Sequence, residues 1–514
     1  MLFLIIVSGF LVEGVRISAS TDEWKLLSPV GYSLSVFLGE LEPGNALILH
    51  KILWWIHALL VFGWIASLPY TKFIHLLFLP ANAFFSKMKP AGELDRIDID
   101  KLMADENFDV ETFCLGIQTT GDFTWKQRMD FDACISCGRC EEVCPSALAG
   151  QPLSPRKLIS EMKNLVRRSE QKNSESDAPL EIIGQAFDQE YQWNCRTCMA
   201  CTQVCPAFIT HVDTLLEIRR NEVVMKGEIP TEPGQALKRM QTLGNPFGSQ
   251  SDRINWVESL GVNILEPGES CDVLYWIGCL TTFDPTKRKI AEDLISILKQ
   301  TNVDYAVLGN GELCCGDPAR ALGDEHTFQT IAKKQIAELK TRRFKTILTS
   351  CPHCYNVLKN EYPQFDGQFK LKHHSQFIAD LIESSELELR DNGRQAITFH
   401  DPCYLGRYQE IYDPPRKVVA QTGHTVLLEM KNNREKSLCC GAGGGHFWMD
   451  FKNGERINDL RVLQARDAGA ETIVTGCPFC FQMLNDGLKT TNLDEVIQVE
   501  DITGLVTRGI EKAG

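Results

Sequence analysis

Eighteen of the chain's 20 cysteines are gathered beyond residue 130 into groups whose spacing suits metal ligation, and this limits the fold more than any other feature. Disulfide scaffolds this rich in cysteine are ordinarily short secreted chains, whereas this one has 514 residues. Thiolates held for iron need a reducing compartment, which places the bulk of the chain in the cytoplasm. The length suggests two to four domains. A formal net charge of −14 argues against a face for nucleic acid or anionic lipid, because neutralising phosphates needs a basic surface. A hydrophobic content of 44% makes any membrane part a minority.

Two runs match C-x2-C-x2-C-x3-C-P: Cys134, Cys137, Cys140 and Cys144 before Pro145, and Cys195, Cys198, Cys201 and Cys205 before Pro206. This pattern wraps bacterial [4Fe–4S] cubes, with the fourth cysteine ligating the other cluster. The expected sets are Cys134, Cys137, Cys140 and Cys205 for one cube, and Cys195, Cys198, Cys201 and Cys144 for the second. Structural zinc is the competing use of C-x2-C, but two complete four-cysteine runs with trailing prolines favour iron. Residues 154–190 read as a charged helix, a Ser/Asn/Asp-rich loop and a second helix. Residues 211–247 read as a linker wrapped on the surface.

From about residue 271 the chain repeats itself. Cys279, Cys314-Cys315-Gly316 and Cys351-Pro-His-Cys354 return as Cys403, Cys439-Cys440-Gly441 and Cys477-Pro-Phe-Cys480, displaced by 124 to 126 residues. Strand-like stretches end at cysteines and amphipathic helices follow, which predicts one α/β layer sandwich per copy. Five thiolates per copy then converge at strand carboxyl ends, where open α/β sheets hold ligands. Gly316 and Gly441 allow close backbone approach, and GAGGG at 441–445 reads as backbone cradling a cluster. His353, His400 and His446 lie beside these cysteines as candidate hydrogen-bond donors or structural residues. Cys114 and Cys271 fall outside every motif and read as packed thiols. No G-x-G-x-x-G follows a strand, so hydride chemistry belongs to a partner or is absent.

The amino-terminal part is apolar. Residues 2–12 read as a first span, and Leu53 to Phe78 as the core of a second, kinked at Pro69. Lys87, Lys89, Arg96 and Lys101 follow the second span and place what comes after it in the cytoplasm. His57 and His75 are eighteen residues apart. On a continuous helix they would share one stripe roughly 27 Å apart, close to the thickness of a bilayer's hydrocarbon core. That points to bis-histidine haem b ligation, with His50 a weaker third candidate.

The ten-cysteine repeat resembles the CCG domains of the heterodisulfide reductase catalytic subunit family. The resemblance implies a non-cubane [4Fe–4S] cluster at Cys279, Cys314, Cys315, Cys351 and Cys354, and another at Cys403, Cys439, Cys440, Cys477 and Cys480; either is a candidate catalytic or entry site. The His57–His75 stretch resembles the last helix of the nitrate reductase gamma-subunit family, where an earlier helix supplies the second histidine pair. Here the first span has no histidine, so a further membrane subunit or a preceding segment would complete the sites, or the haems are lost. The expected layout is a membrane segment at 1–90, a helical domain with two ferredoxin motifs at 91–247, and CCG repeats at 248–390 and 391–514. As a whole it resembles quinone-linked iron–sulfur oxidoreductases. The resemblance implies electron passage between a soluble donor, reduced electron-transfer flavoprotein, and (mena)quinone at the cytoplasmic membrane. Alternatives are a heterodisulfide-type reductase and a non-catalytic electron-transfer subunit of a larger complex.

Overall fold

The computed structural model describes residues 1–86, 88–104, 113–171, 178–390, 395–423, 426–449 and 453–511. Lys87, the Ser/Asn/Asp-rich loop at 172–177 and the expected repeat boundary at 390/391 thus lie wholly or partly outside the described residues. The chain forms two compact units, Met1–Ala81 and Asn82–Gly514.

In the first unit, helices α1 (Leu2–Ser18), α2 (Pro29–Leu38) and α3 (Pro43–Ser67) follow one another, and α1 packs on both others. Among the described residues, Pro43–Tyr70 is the one helical stretch long and apolar enough to cross a membrane. It leaves Trp55, Leu59 and Phe62 exposed, as a lipid-facing helix would. Helix α2 forms within the segment between the expected spans. One expectation is corrected here: no single helix joins His57 to His75, since α3 stops at Ser67, short 3₁₀ turns cover Leu68–Tyr70 and Lys72–Ile74, and α4 (His75–Phe84) starts at the second histidine. Pro69 cannot donate to the helical ladder, and Thr71 is extended, its side chain accepting from the Phe73 amide at 3.3 Å to start a new turn. The single histidine stripe therefore does not exist.

The larger unit opens with helical structure. Trp125–Ala133 starts at a capping box made by Thr124 and Gln127. Pro155–Glu170 buries an apolar stripe containing Leu158, Met162 and Leu165. The second helix expected before residue 190 is absent from residues 178–190, which form turns and an isolated bridge between Ile183 and Phe187. Residues 211–247 are not a surface linker either. They contain helix His211–Arg220, largely buried, a π-turn at Asn221–Met225, and helix Thr231–Leu243.

Each cysteine repeat holds a four-stranded, wholly parallel sheet. The first has the order β2-β1-β3-β4, from β1 (Ser270–Trp276), β2 (Tyr305–Val307), β3 (Arg343–Thr349) and β4 (Leu371–His373). The second repeats it as β6-β5-β7-β8, from β5 (Ala396–His400), β6 (Val426–Leu427), β7 (Thr472–Thr475) and β8 (Gln498–Asp501). The central strands are buried on both faces, as parallel sheets require. One apolar core joins the repeats. It includes Tyr275 and Leu348 of the first and Phe399 and Val474 of the second, with Leu294 and Leu505 of packed helices Pro285–Gln300 and Ile502–Glu511.

Candidate metal centres

The first ferredoxin run wraps the short helix Arg139–Glu142, which carries Cys140, between helix Trp125–Ala133 and helix Pro145–Leu148. Gly138 takes φ +84° to turn the chain, and Cys144 precedes the short helix Pro145–Leu148. Cys134, Cys137, Cys140 and Cys205 line one small pocket, together with Arg156 and His211. Burial, then the proximity of Cys205, Cys134 and Cys137, pushes the Cys140 thiol up to about 12. Cys144 joins the other trio: burial pushes its thiol up to about 12, with Cys198 and Cys195 adding to the rise. Cys201 is raised in the same way by burial and then by Cys144, Cys195 and Cys198. Clustered thiols that resist losing protons singly suit a cation that takes several thiolates at once. Cys137 is exposed, whereas Cys195 and Cys198 are buried.

In the larger repeats the cysteines follow the carboxyl ends of the strands. Cys279 comes after β1, the Cys314–Cys315 pair after β2, and Cys351 after β3, so they meet at the point where the strand order reverses. Contacts run from Cys279 through Cys314 and Cys315 to Cys354 and Cys351, with the Sγ atoms of Cys279 and Cys314 3.9 Å apart. The five line a small pocket flanked by His353, Pro478 and Phe479. His353 Nδ1 meets Asp317 at 2.8 Å, and its ring stacks on Tyr404 with centroids 3.9 Å apart.

The second set copies the first. Contacts link Cys403, Cys439, Cys440, Cys480 and Cys477, with Cys480 and Cys440 Sγ atoms 3.3 Å apart. Burial alone would raise the Cys477 thiol, but bonds from Cys480 and His353 hold it near about 6. His400, at the end of β5, brings its ring within 4.8 Å of the Cys440 and Cys480 sulfurs. Its Nε2 is buried without an oxygen or nitrogen partner, an orphan that a sulfur-rich ligand would satisfy. The residues present thus fit iron–sulfur clusters.

The two kinds of site touch. The Cys198 and Cys439 thiols lie close enough to influence each other's protonation. The glycines after Cys439–Cys440 press on the 195–197 loop, so closely that a β-carbon on Gly444 would lie 2.1 Å from the Cys195 carbonyl oxygen. His446, one of the three candidate histidines, donates from Nε2 to the Trp193 carbonyl. Cys271 is a buried thiol, and Cys114 accepts from Asn221 Nδ2 at 3.3 Å. His50 and His57 both lie on α3, with His57 Nδ1 2.9 Å from the Ser8 hydroxyl, while His75 begins α4. The buried arginines that surround the clustered cysteines, Arg219, Arg407 and Arg461, carry no signal in the sequence, since their partners are backbone carbonyls and a histidine far along the chain.

Two parallel sheets with five thiols at the switch point of each, joined to a dicluster loop pair, define a CCG-type iron–sulfur oxidoreductase. Residues 273–359 and 397–485 match the cysteine-rich CCG domain family, and 130–209 match the 4Fe-4S dicluster domain family. The chain is 33% identical to the EtfAB:quinone oxidoreductase of Syntrophomonas wolfei subsp. wolfei, over 99% of this chain and 76% of that one. It is 37% identical to a probable membrane-anchored ferredoxin of Chromohalobacter salexigens, over 96% and 78%. A subunit of the dihydromethanophenazine:CoB–CoM heterodisulfide reductase of Methanosarcina barkeri is 30% identical, over 76% of this chain and 97% of that subunit. The chain belongs to this family of CCG-domain iron–sulfur oxidoreductases, whose members include the heterodisulfide reductase subunit.

Proposed function

We propose that the chain carries electrons from a reduced electron-transfer flavoprotein to the (mena)quinone pool, through two cubane and two non-cubane [4Fe–4S] clusters held by the four cysteine sets described above. The observation that carries this reading is the close approach of the two kinds of site, with the glycines after Cys439–Cys440 pressed on the 195–197 loop and the Cys198 and Cys439 thiols side by side. When bound, the clusters supply one-electron storage; the protein fixes their order and their surroundings. His353, Tyr404 and Phe479 fill the space between the two CCG sites with packed rings. Cys137 brings the remaining site to the surface. Asn82, the first residue of the larger unit, anchors next to that site by donating to the Ala207 carbonyl and to Asp130, both at 2.7 Å. That order gives the path: CCG sites, buried ferredoxin site, exposed ferredoxin site. The iron–sulfur unit lies on the cytoplasmic side, and His57 and His75 are the candidate haem b ligands, with second ligands from a further membrane subunit.

The detergent-extracted chain mixed with reduced electron-transfer flavoprotein should show bleaching of cluster absorbance, followed by reoxidation on adding a menaquinone analogue. Oxidation by a disulfide substrate but not by quinone would replace this reading with the heterodisulfide reductase one, which the likeness to the Methanosarcina barkeri protein favours. Response to neither partner would leave an electron-transfer subunit of a larger complex. A pyridine haemochrome assay tests the histidines: a haem b signal lost in His57→Ala and His75→Ala supports them, and iron without haem removes them.

A further inference from the structure

The two CCG repeats are built alike but charged differently. At positions equivalent by the cysteine register, Glu312 is answered by Ser437, Asp317 by Ala442 and Trp276 by His400. Buried guanidinium groups of the first repeat and its border are matched by carboxylates. Arg253 donates to Glu312 at 2.7 Å, Arg320 to Glu325 and Glu361, and Arg220 to Glu217 and Glu325. Glu312 also accepts from the amides of Ile277 and Gly278, directly ahead of Cys279, at 3.0 and 2.8 Å. Asp317 is paired with His353.

Around the second repeat and the adjoining 195–201 loop the pattern changes. Arg407 donates from Nε to the Cys198 carbonyl at 2.6 Å and from Nη1 to the Ser437 carbonyl at 2.7 Å. Arg219 donates to the carbonyls of Gln192, Cys195, Ala321 and Gly444. Arg461 donates from Nε to His400 Nδ1 at 3.0 Å and from Nη2 to Ser437 Oγ at 3.1 Å. Among the described residues none of these three has a carboxylate within salt-bridge distance, and Asp401, the acid whose field reaches Arg461, is held by Arg416. Carbonyl dipoles solvate a buried cation but do not cancel its charge. Because Arg461 occupies Nδ1, the neutral His400 ring carries its proton on Nε2, the nitrogen left to bond the Cys440 sulfur.

We propose that the second CCG centre and the cluster at Cys195–Cys201 are the high-potential pole of the molecule, set by the unmatched charges of Arg219, Arg407 and Arg461 and the His400 N–H. The first CCG centre, ringed by matched ion pairs, is the low-potential side that passes its electron on. This rests on the four-cluster reading above. Each one-electron reduction adds one negative charge to a cluster and neither makes nor breaks a bond. The electron comes from the reduced flavin donor. A nearby buried cation or an N–H···S bond stabilises the added charge and raises the potential.

The test is a potentiometric titration of the purified full chain followed by electron paramagnetic resonance, with iron counted in every sample. Single Cys279→Ser and Cys403→Ser variants assign the two CCG signals. Arg407→Gln and Arg461→Gln should each make the second centre at least tenfold harder to reduce, a fall of about 59 mV for one electron. Arg407→Lys, which keeps the charge, should recover most of that change, and the first centre's signal should stay in place. Unchanged potentials in iron-replete Gln variants overturn the inference, as does an equal shift in Arg407→Lys and Arg407→Gln, which would mark a structural effect. A parent chain without cluster iron overturns the underlying reading instead, and the iron count separates the two failures.

Discussion

At the scale of single residues, Gly444 shows how tightly the second CCG loop is fitted. It stands at φ +64°, and a β-carbon there would run into the Cys195 carbonyl. Gly444→Ala should therefore cost the backbone strain of a left-handed alanine plus a clash that only main-chain movement relieves, about 3 kcal/mol or more. Thermal melting alongside an iron count checks it: the variant should melt lower and lose iron, while alanine at Gly150, with nothing within 4 Å of its β-carbon, should hold its iron. The cysteines were legible in the sequence because ligand spacing is local. The arginines were not, because Arg219 reaches Gly444 across 225 positions and its burial depends on carbonyls that meet only in the folded chain.

At the scale of elements, strand β8 and the helices beside it make the repeat interface sensitive to pH. Burial holds the Glu500 carboxyl up at about 7, although Arg508 donates to it at 2.6 Å; that arginine is partly solvated, and Asp293 and Asp501 add to the rise. The folded chain thus keeps a proton that the unfolded chain releases near 4.5. The contribution is fully present below about pH 4.5 and is lost as pH rises through about 7. Glu500→Gln should make the larger unit more stable than the parent at pH 8 by about 1 kcal/mol, with the difference vanishing toward pH 4.5, as read from urea unfolding at each pH. Elements were also where periodicity misled. The stretch from His57 to His75 is apolar throughout, so hydropathy ran one helix across a point where Pro69 removes a donor and Thr71 begins again. Residues 211–247 carry enough charge, proline and glycine to resemble a linker, yet their first helix is packed into the centre of the larger unit.

At the scale of the whole molecule, the division at Asn82 predicts separable parts. A chain beginning at residue 82 should fold with its full iron content and stay in solution after centrifugation, whereas the full chain should sediment with membranes and need detergent. Retention of the shortened chain in the membrane fraction would place the anchor elsewhere. The alternation of strand and helix and the doubled cysteine pattern made the two parallel sheets legible. Their back-to-back packing was not, because Leu294 and Leu505 meet across more than two hundred positions through surfaces that look like any amphipathic helix.

The placing of Cys144 with Cys195, Cys198 and Cys201, and of Cys205 with Cys134, Cys137 and Cys140, bears on how the protein is made. A set that borrows its last member from the other run cannot be closed while only half of the pair has left the ribosome. The set holding Cys144 cannot be completed until residue 201 has emerged, nor the set holding Cys134 until residue 205, and once closed the two act as mutual latches, each fastening the segment that carries the other. Metal loading is thereby delayed until the domain can fold as one piece, and a nascent chain halted between the runs holds only open thiols that the cell's delivery machinery can still abandon.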